Sequence, residues 1–222
     1  MLAGIMNNGS IEWIEFVAVA VALLFCLPIH EYAHAESAFL LGDSTGQRAG
    51  RCTLNPFSHI DVCGMLMFVF LGVGYAKPVP VNTRNLRKPR RDNAIISLAG
   101  PASNLLLALC FLLLAQIVNE IGSLFGNGQF LLSVIMCLKY VGYINIKLCI
   151  FNLMPIPPLD GYHVFLSCVN IRMSYKLMRI EKYGMYIMLG VMMLFTVIKL
   201  SPITFLTNGV YNAFERIYEV LT

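Results

Sequence analysis

Four stretches of the chain are almost unbroken runs of apolar residues, roughly residues 12–34, 94–118, 130–153 and 184–206. Each is long enough for a helix that crosses a bilayer, which takes about 20 such residues. A fifth run, Val62 to Ala76, is too short to cross. It carries Gly64, Gly72 and Gly74 and leads into "AKPVPVN", where prolines at alternate positions favour extended backbone. Irregular backbone at membrane depth survives only under cover of protein or beside water, so this run is expected to form a re-entrant hairpin or short β segment. In the tail, Val210, Phe214, Ile217 and Leu221 recur at helical spacing with Glu215, Arg216 and Glu219 between them. An amphipathic helix lying on the membrane interface is expected there. The pattern predicts an all-α polytopic membrane protein with about four transmembrane helices, a re-entrant segment and a C-terminal amphipathic helix.

Composition points the same way. The 222 residues are 58% hydrophobic and only 13% charged, against about 25% charged in soluble proteins. The formal charge of +4 is small and its cations are clustered, which argues against a nucleic-acid partner. The clusters orient the spans instead. No Lys or Arg precedes the first run, and none lies in the Gly122 to Gln129 loop. Arg48 and Arg51 follow the first run, Lys77, Arg84, Arg87, Lys88, Arg90 and Arg91 precede the second, and Arg172, Lys176, Arg179 and Lys182 precede the fourth. The positive-inside rule then places the N-terminus outside and every basic loop in the cytoplasm, provided the short run does not cross. Without basic residues ahead of the first run or a small-residue cleavage site behind it, that run is expected to stay as a span. Seven cysteines without CxxC spacing, mostly inside apolar stretches, read as free thiols and not as a disulfide or thiolate-metal framework.

Ionisable groups are concentrated where the first span ends, in "LFCLPIHEYAHAESAFLLGD". Charged groups at the centre of a membrane helix cost about 2.5–3.5 kcal/mol each, so they need a partner. In "HEYAH", His30 and His34 share one helix face and Glu31 sits one step round, an arrangement suited to two imidazole ligands on zinc with a carboxylate base beside them. Two histidines leave a catalytic zinc short of a protein ligand. Asp160, after three prolines in "FNLMPIPPLDGYHV", lies at a similar depth because the third span also runs inward. Taken alone, "PPLDG" reads as a turn; beside an incomplete zinc site, Asp160 is the expected third ligand. His59 and Asp61 are the rivals, in a segment polar enough to stay at the surface. In "SLAGPASN", Gly100, Ala102 and Ser103 permit close helix approach, while Asn104 is either a packing residue or, with Asn152, a donor to substrate backbone or oxyanion. The stretch Tyr75 to Val81, including Lys77, Pro78 and Val79, is expected to hold an unwound substrate strand by β-addition.

The segments "HEYAH", "GRCTLNPFSHIDVCG", "GYAKPVPVN", "SLAGPASN" and "FNLMPIPPLDG", spread over about residues 30–161, resemble in order and spacing the site-2 protease family of intramembrane zinc metalloproteases, most closely its small prokaryotic members. That resemblance implies one zinc on His30, His34 and Asp160, with Glu31 as the catalytic base. It also implies cleavage of transmembrane segments of other membrane proteins, in the manner of regulated intramembrane proteolysis. The expected organisation is one membrane-embedded protease domain over residues 1–222, with a catalytic core at about 12–165 and accessory helices at about 170–222. The protein is expected to be multi-pass in the cell membrane, with its site near the cytoplasmic side. A metal-ion transporter would line a continuous polar path, whereas the outer halves of spans two and four are nearly all apolar. A non-catalytic zinc-bearing scaffold would have no use for Glu31, which is not a ligand.

Overall fold

Pro28 has no amide hydrogen to return to the carbonyl four residues back, and the helix that carries it adjusts just before it. Helix α1 (Asn8–Val21) passes through a π-helical turn, Ala22–Cys26, into α2 (Leu27–Leu40), and the Leu27 N–H bonds the Ala22 carbonyl across that wider turn. The computed structural model describes residues 8–59, 77–126, 128–197 and 202–221. After α2 come a short helix α3 (Thr45–Arg48) and two 3-10 turns, Pro56–Ser58 and Thr83–Asn85. The long helices α4 (Pro89–Phe125) and α5 (Gln129–Asn152) follow, then α6 (Asp160–Cys168), α7 (Ile171–Glu181), α8 (Gly184–Val197) and α9 (Pro202–Leu221). Among the described residues there is no strand.

Among the described residues, three helices are long and apolar enough to cross a membrane: Trp13–Leu40, Pro89–Leu124 and Gln129–Asn152. The fourth expected span coincides with a shorter apolar helix, Gly184–Phe195, and Pro202 opens a separate helix within the predicted range. The Val62 to Ala76 run, with Tyr75, lies outside the described residues. Packing uses small side chains: Ala18 and Cys26 of the first rod meet Val141 of α5, and Asn145 Nδ2 donates to Cys26 Sγ (3.3 Å) and to the Val141 carbonyl (2.9 Å). Large apolar residues such as Phe25, Leu106 and Leu113 face outward, as a lipid-facing surface requires. The six cysteines among the described residues are free.

The C-terminal helix forms, but its apolar face has a different partner from the one expected. Val210, Tyr211 and Phe214 pack against Ala108, Leu112 and Ile146 of α4 and α5, and Lys139 Nζ donates to Glu215 Oε1 at 3.0 Å. A lysine inside an apolar span needs such a counter-charge. The tail supplies it, so Val210 and Phe214 of this face meet the bundle.

Between the first rod and α4 the chain is held by Asp43, which is fully buried. Its carboxylate accepts hydrogen bonds from the Asn82 N–H (2.7 Å), Asn85 Nδ2 (2.8 Å) and the N–H and hydroxyl of Thr45. Burial works to raise this carboxyl, but the bonds from Thr45, Asn85 and Asn82 outweigh it and hold Asp43 below the usual carboxylate range. Lys77 N–H also bonds the His59 carbonyl at 2.8 Å. The Lys77 to Asn82 stretch, which has no regular structure, is thereby fixed at both ends. Replacing Asp43 by Asn substitutes a donor for one acceptor oxygen and removes at least one hydrogen bond to a charged group, at about 1.5–3 kcal/mol. Hydrogen exchange of Val81 to Asn85 in Asp43→Asn is expected to rise by at least tenfold; exchange equal to wild type would contradict the pin. Because the folded pKa is depressed, the stabilisation is present above the unfolded value near 3.9 and is lost as pH falls through the folded one.

Candidate metal centre

The four-residue spacing of His30 and His34 turns both rings to one side of α2, and both are buried, as is Glu31 between them. The rings stand edge to face with Nε2 atoms 3.1 Å apart. Asp160, the first residue of α6, brings its Oδ2 to 3.3 Å from each Nε2. It gets there because Gly161 is a glycine: a Cβ at that position would lie 2.2 Å from the Leu153 carbonyl oxygen. The "DG" pair is thus the start of a helix packed against the exit of α5, and not a surface turn. At the other end of α6, the Arg90 guanidinium donates to the carbonyls of Leu166 (3.3 Å), Ser167 (2.8 Å) and Val169. A cation on the last carbonyls of a helix also complements its dipole.

The protonation pattern follows from these partners. His34 Nδ1 lies 2.7 Å from the Ile96 carbonyl, which can only accept, so Nδ1 carries the hydrogen and a neutral ring leaves Nε2 bare. Pro101, inside α4, gives no amide hydrogen to the Ser97 carbonyl, one residue beyond Ile96. Asp160 Oδ2 is buried without a hydrogen-bond partner. An aspartate carboxyl ordinarily ionises at about pH 4, so at neutral pH Oδ2 is an anionic oxygen. Bare nitrogens and an anionic oxygen facing one another call for a cation. The donor atoms of His30, His34 and Asp160 lie within 4.8 Å of one another, and the edges of their triangle are 3.1–3.3 Å. Tetrahedral bonds of about 2.0–2.1 Å separate ligand atoms by roughly 3.3 Å, so the triangle fits zinc with its fourth position open.

Gly100 closes one side of this triangle. A Cβ there would stand 2.3 Å from His34 Nε2 and 2.6 Å from His30 Cε1, so α4 lies against the imidazoles through a bare backbone. Asn104, one turn further, is buried behind His30 with Nδ2 at 3.1 Å from His30 Nδ1 and its Oδ1 without a partner. Helix spacing in the sequence revealed that α4 comes close, but not that it touches both rings.

In front of the site is a cleft of about 1190 Å³ lined by His30, Glu31, His34 and Asp160 together with Pro78, Val79 and Asn152. It exceeds the usual size of small-molecule pockets, about 300–1,000 Å³. Lys77 holds the His59 backbone and does not line the cleft; Asn104 does not line it either. The rival His59 is buried with Nε2 at 2.8 Å from the Thr53 carbonyl, and it is not part of the three-residue cluster. Glu36, the second glutamate of the rich stretch, faces a loop and accepts from Cys52 Sγ at 3.1 Å, which with burial pushes that thiol up to about 11. Three supports escaped the sequence reading: Asp43, Arg90 and the Ile96 carbonyl. Each acts through tertiary partners, and only Arg90 carried a local signal, as one cation among many.

Comparison with known proteins adds to this. The sequence matches peptidase family M50 over residues 18–195. It is 36% identical over 177 residues to "Putative zinc metalloprotease YwhC" of Bacillus subtilis, covering 77% of this chain and 78% of that one. It is 28% identical over 198 residues to "Putative zinc metalloprotease Rip2" of Mycolicibacterium smegmatis, with 81% and 73% covered. A third relative, "Putative zinc metalloprotease MJ0611" of Methanocaldococcus jannaschii, is 29% identical over 152 residues, with 68% of each chain covered. No solved structure matches the chain.

The Gly100 contact can be tested directly. Gly100→Ala should lose most of the zinc that the purified protein retains while keeping its helical circular dichroism, because the methyl occupies the space of the imidazoles. Zinc content equal to wild type would show that α4 does not approach so closely.

Proposed function

The chain belongs to peptidase family M50, the family of the site-2 proteases, and from that premise we propose that it is an intramembrane zinc metalloendopeptidase of the HExxH type, hydrolysing peptide bonds in transmembrane segments of other membrane proteins. The observation that carries this reading is the triangle of His30 Nε2, His34 Nε2 and Asp160 Oδ2, placed beside Glu31 in a cleft among membrane-spanning helices. These three residues hold one zinc ion. When bound, zinc supplies Lewis acidity to an attacking water and to the scissile carbonyl.

The protein's own groups do the rest. Glu31 takes the proton of the attacking water on its carboxylate and returns it to the leaving amine. The Ile96 carbonyl keeps the hydrogen of His34 on Nδ1, so that Nε2 always presents a lone pair. Asn104 does the same for His30. With its amide turned by half a rotation, the orphaned Asn104 Oδ1 accepts the His30 Nδ1 hydrogen and Nε2 is freed. Asn104 is therefore a positioning residue for a ligand and not an oxyanion donor. Asn152, on the cleft wall, remains the candidate donor to the substrate oxyanion. A substrate helix must unwind before its carbonyls can be reached, and the stretch from Lys77 to Val81, held by Asp43 and His59, offers an edge on which an extended strand is paired.

The chain is one membrane-embedded protease unit, with its core at about residues 12–165 and accessory helices from about 170. It resides in the cell membrane with the N-terminus outside and the site near the cytoplasmic face, where its basic loops lie and where water is available. Release of a membrane-tethered regulator by regulated intramembrane proteolysis is the corresponding role.

Glu31→Gln removes the base and spares the ligands. It is expected to keep normal zinc content while turnover of a single-span substrate in detergent falls by about 10²–10⁴; turnover within a few-fold of wild type would exclude Glu31 as the base. For Asn104, chelator competition should show zinc binding about 10–100-fold weaker in Asn104→Ala and largely restored in Asn104→Asp, which still accepts from the ring. Equal zinc affinity in wild type and Asn104→Ala would sink the positioning role.

A further inference from the structure

Helix α7, Ile171–Glu181, is used by nothing in the mechanism above. Asn170 caps it by accepting from the Met173 N–H at 2.8 Å. Two polar contacts tie it to α6: Tyr162 O–H donates to the Leu177 carbonyl at 2.8 Å, and His163 Nε2 lies 3.6 Å from Glu181 Oε1. At 3.6 residues per turn its side chains fall into three stripes about 120° apart. One stripe, with Ile171, Tyr175 and Met178, walls the catalytic cleft. The second is Met173, Leu177 and Ile180, of which Met173 and Ile180 are exposed. The third is Arg172, Lys176 and Arg179, exposed and without an ion-pair partner among the described residues.

We infer that α7 is an anionic-lipid-binding helix, with Arg172, Lys176 and Arg179 on acidic headgroups, Met173, Leu177 and Ile180 among the acyl chains, and the stripe of Ile171, Tyr175 and Met178 forming a wall of the cleft. An exposed apolar stripe flanked by unpaired cations is the pattern of a helix lying in the interface, and each cation there gains from an acidic surface. Position supports the same occupant. The apolar helix α8 begins only three residues after α7 ends, and at that junction Lys182 Nζ sits 4.7 Å from the centre of the exposed Tyr183 ring. Tyrosine and lysine at the mouth of an apolar helix are interface anchors. A protein partner fits less well, because the unpaired cations lie beside apolar residues along the length of the helix and not around a pocket. Headgroup binding thus sets the position of one wall of the cleft, and two polar contacts tie α7 to the helix that begins with Asp160.

The test reads lipid contact and not activity, so it stands apart from the protease reading. A fluorescent amino acid is placed at position 173 or at position 174 in the otherwise intact full-length chain, reconstituted in vesicles. The lipid is neutral phosphatidylcholine with an equal minor fraction of either brominated phosphatidylcholine or brominated phosphatidylglycerol. The probe at 173 should be quenched several-fold more by the brominated anionic lipid, and the probe at 174, on the cleft side, by neither. The triple change R172Q/K176Q/R179Q should abolish this several-fold preference, while R172K/R179K should keep it. Equal quenching by the two lipids, or a preference that survives the triple change, would overturn the proposal. Absence of quenching at 173 would overturn it as well, and would mean that protein, such as a second copy of this chain, covers the stripe.

Discussion

Two imidazole nitrogens and a carboxylate oxygen held 3.1–3.3 Å apart repel one another unless a cation lies among them. His30 and His34 are buried, so the repulsion is weakly screened and the arrangement persists only if the scaffold enforces it. Much of what surrounds His30, His34 and Asp160 is understandable as that enforcement. Gly100 removes the side chain that would occupy the space of the rings, the Ile96 carbonyl orients one of them, and Asn104 stands behind the other. Gly161 lets α6 start against the end of α5, and Arg90 holds the far end of the same helix. The site is thus assembled from α2, α4 and α6, and none of the three could hold it alone.

The same economy governs the cleft in front. The wall stretch from Lys77 to Asn82 has no regular structure and so no hydrogen-bond ladder of its own to hold it. Asp43 supplies the missing order from the opposite side, collecting donors from Thr45, Asn82 and Asn85 in one buried carboxylate. Charge is used similarly at the tail, where Glu215 meets Lys139 within the bundle. In each case a costly polar group is placed where it joins segments far apart in sequence. Apolar contacts alone would do this poorly among membrane helices, whose faces are as apolar as the lipid.

Helix α7 is the exception, since its polar groups look outward. Among the described residues its cations Arg172, Lys176 and Arg179 have no ion-pair partner, while Ile171, Tyr175 and Met178 border the cleft. The contrast with Arg90, also a cation of a basic loop but fully engaged with α6, shows that the basic clusters are not uniform. Some of their members are structural, and others are left for the surroundings.

The sequence by itself determined the all-helical membrane character, the apolar runs, and the shared face of His30 and His34, because helical spacing and long apolar stretches are local properties of a chain. It also pointed to Asp160, because matching depth in two inward-running spans is nearly as local. Other features had no local signature. Asn104 read equally well as packing or as an oxyanion donor; only the placement of α4 against α2 puts its amide on His30 and away from the cleft. The apolar side of the C-terminal helix looked fit for the membrane interface, and only the bundle's groove at Ala108, Leu112 and Ile146, with Lys139 beside it, decided that it docks there. Asp43 passed as an ordinary loop acid because its partners lie about 40 residues away, and a hydrogen-bond network of that reach is chosen by the folded chain as a whole.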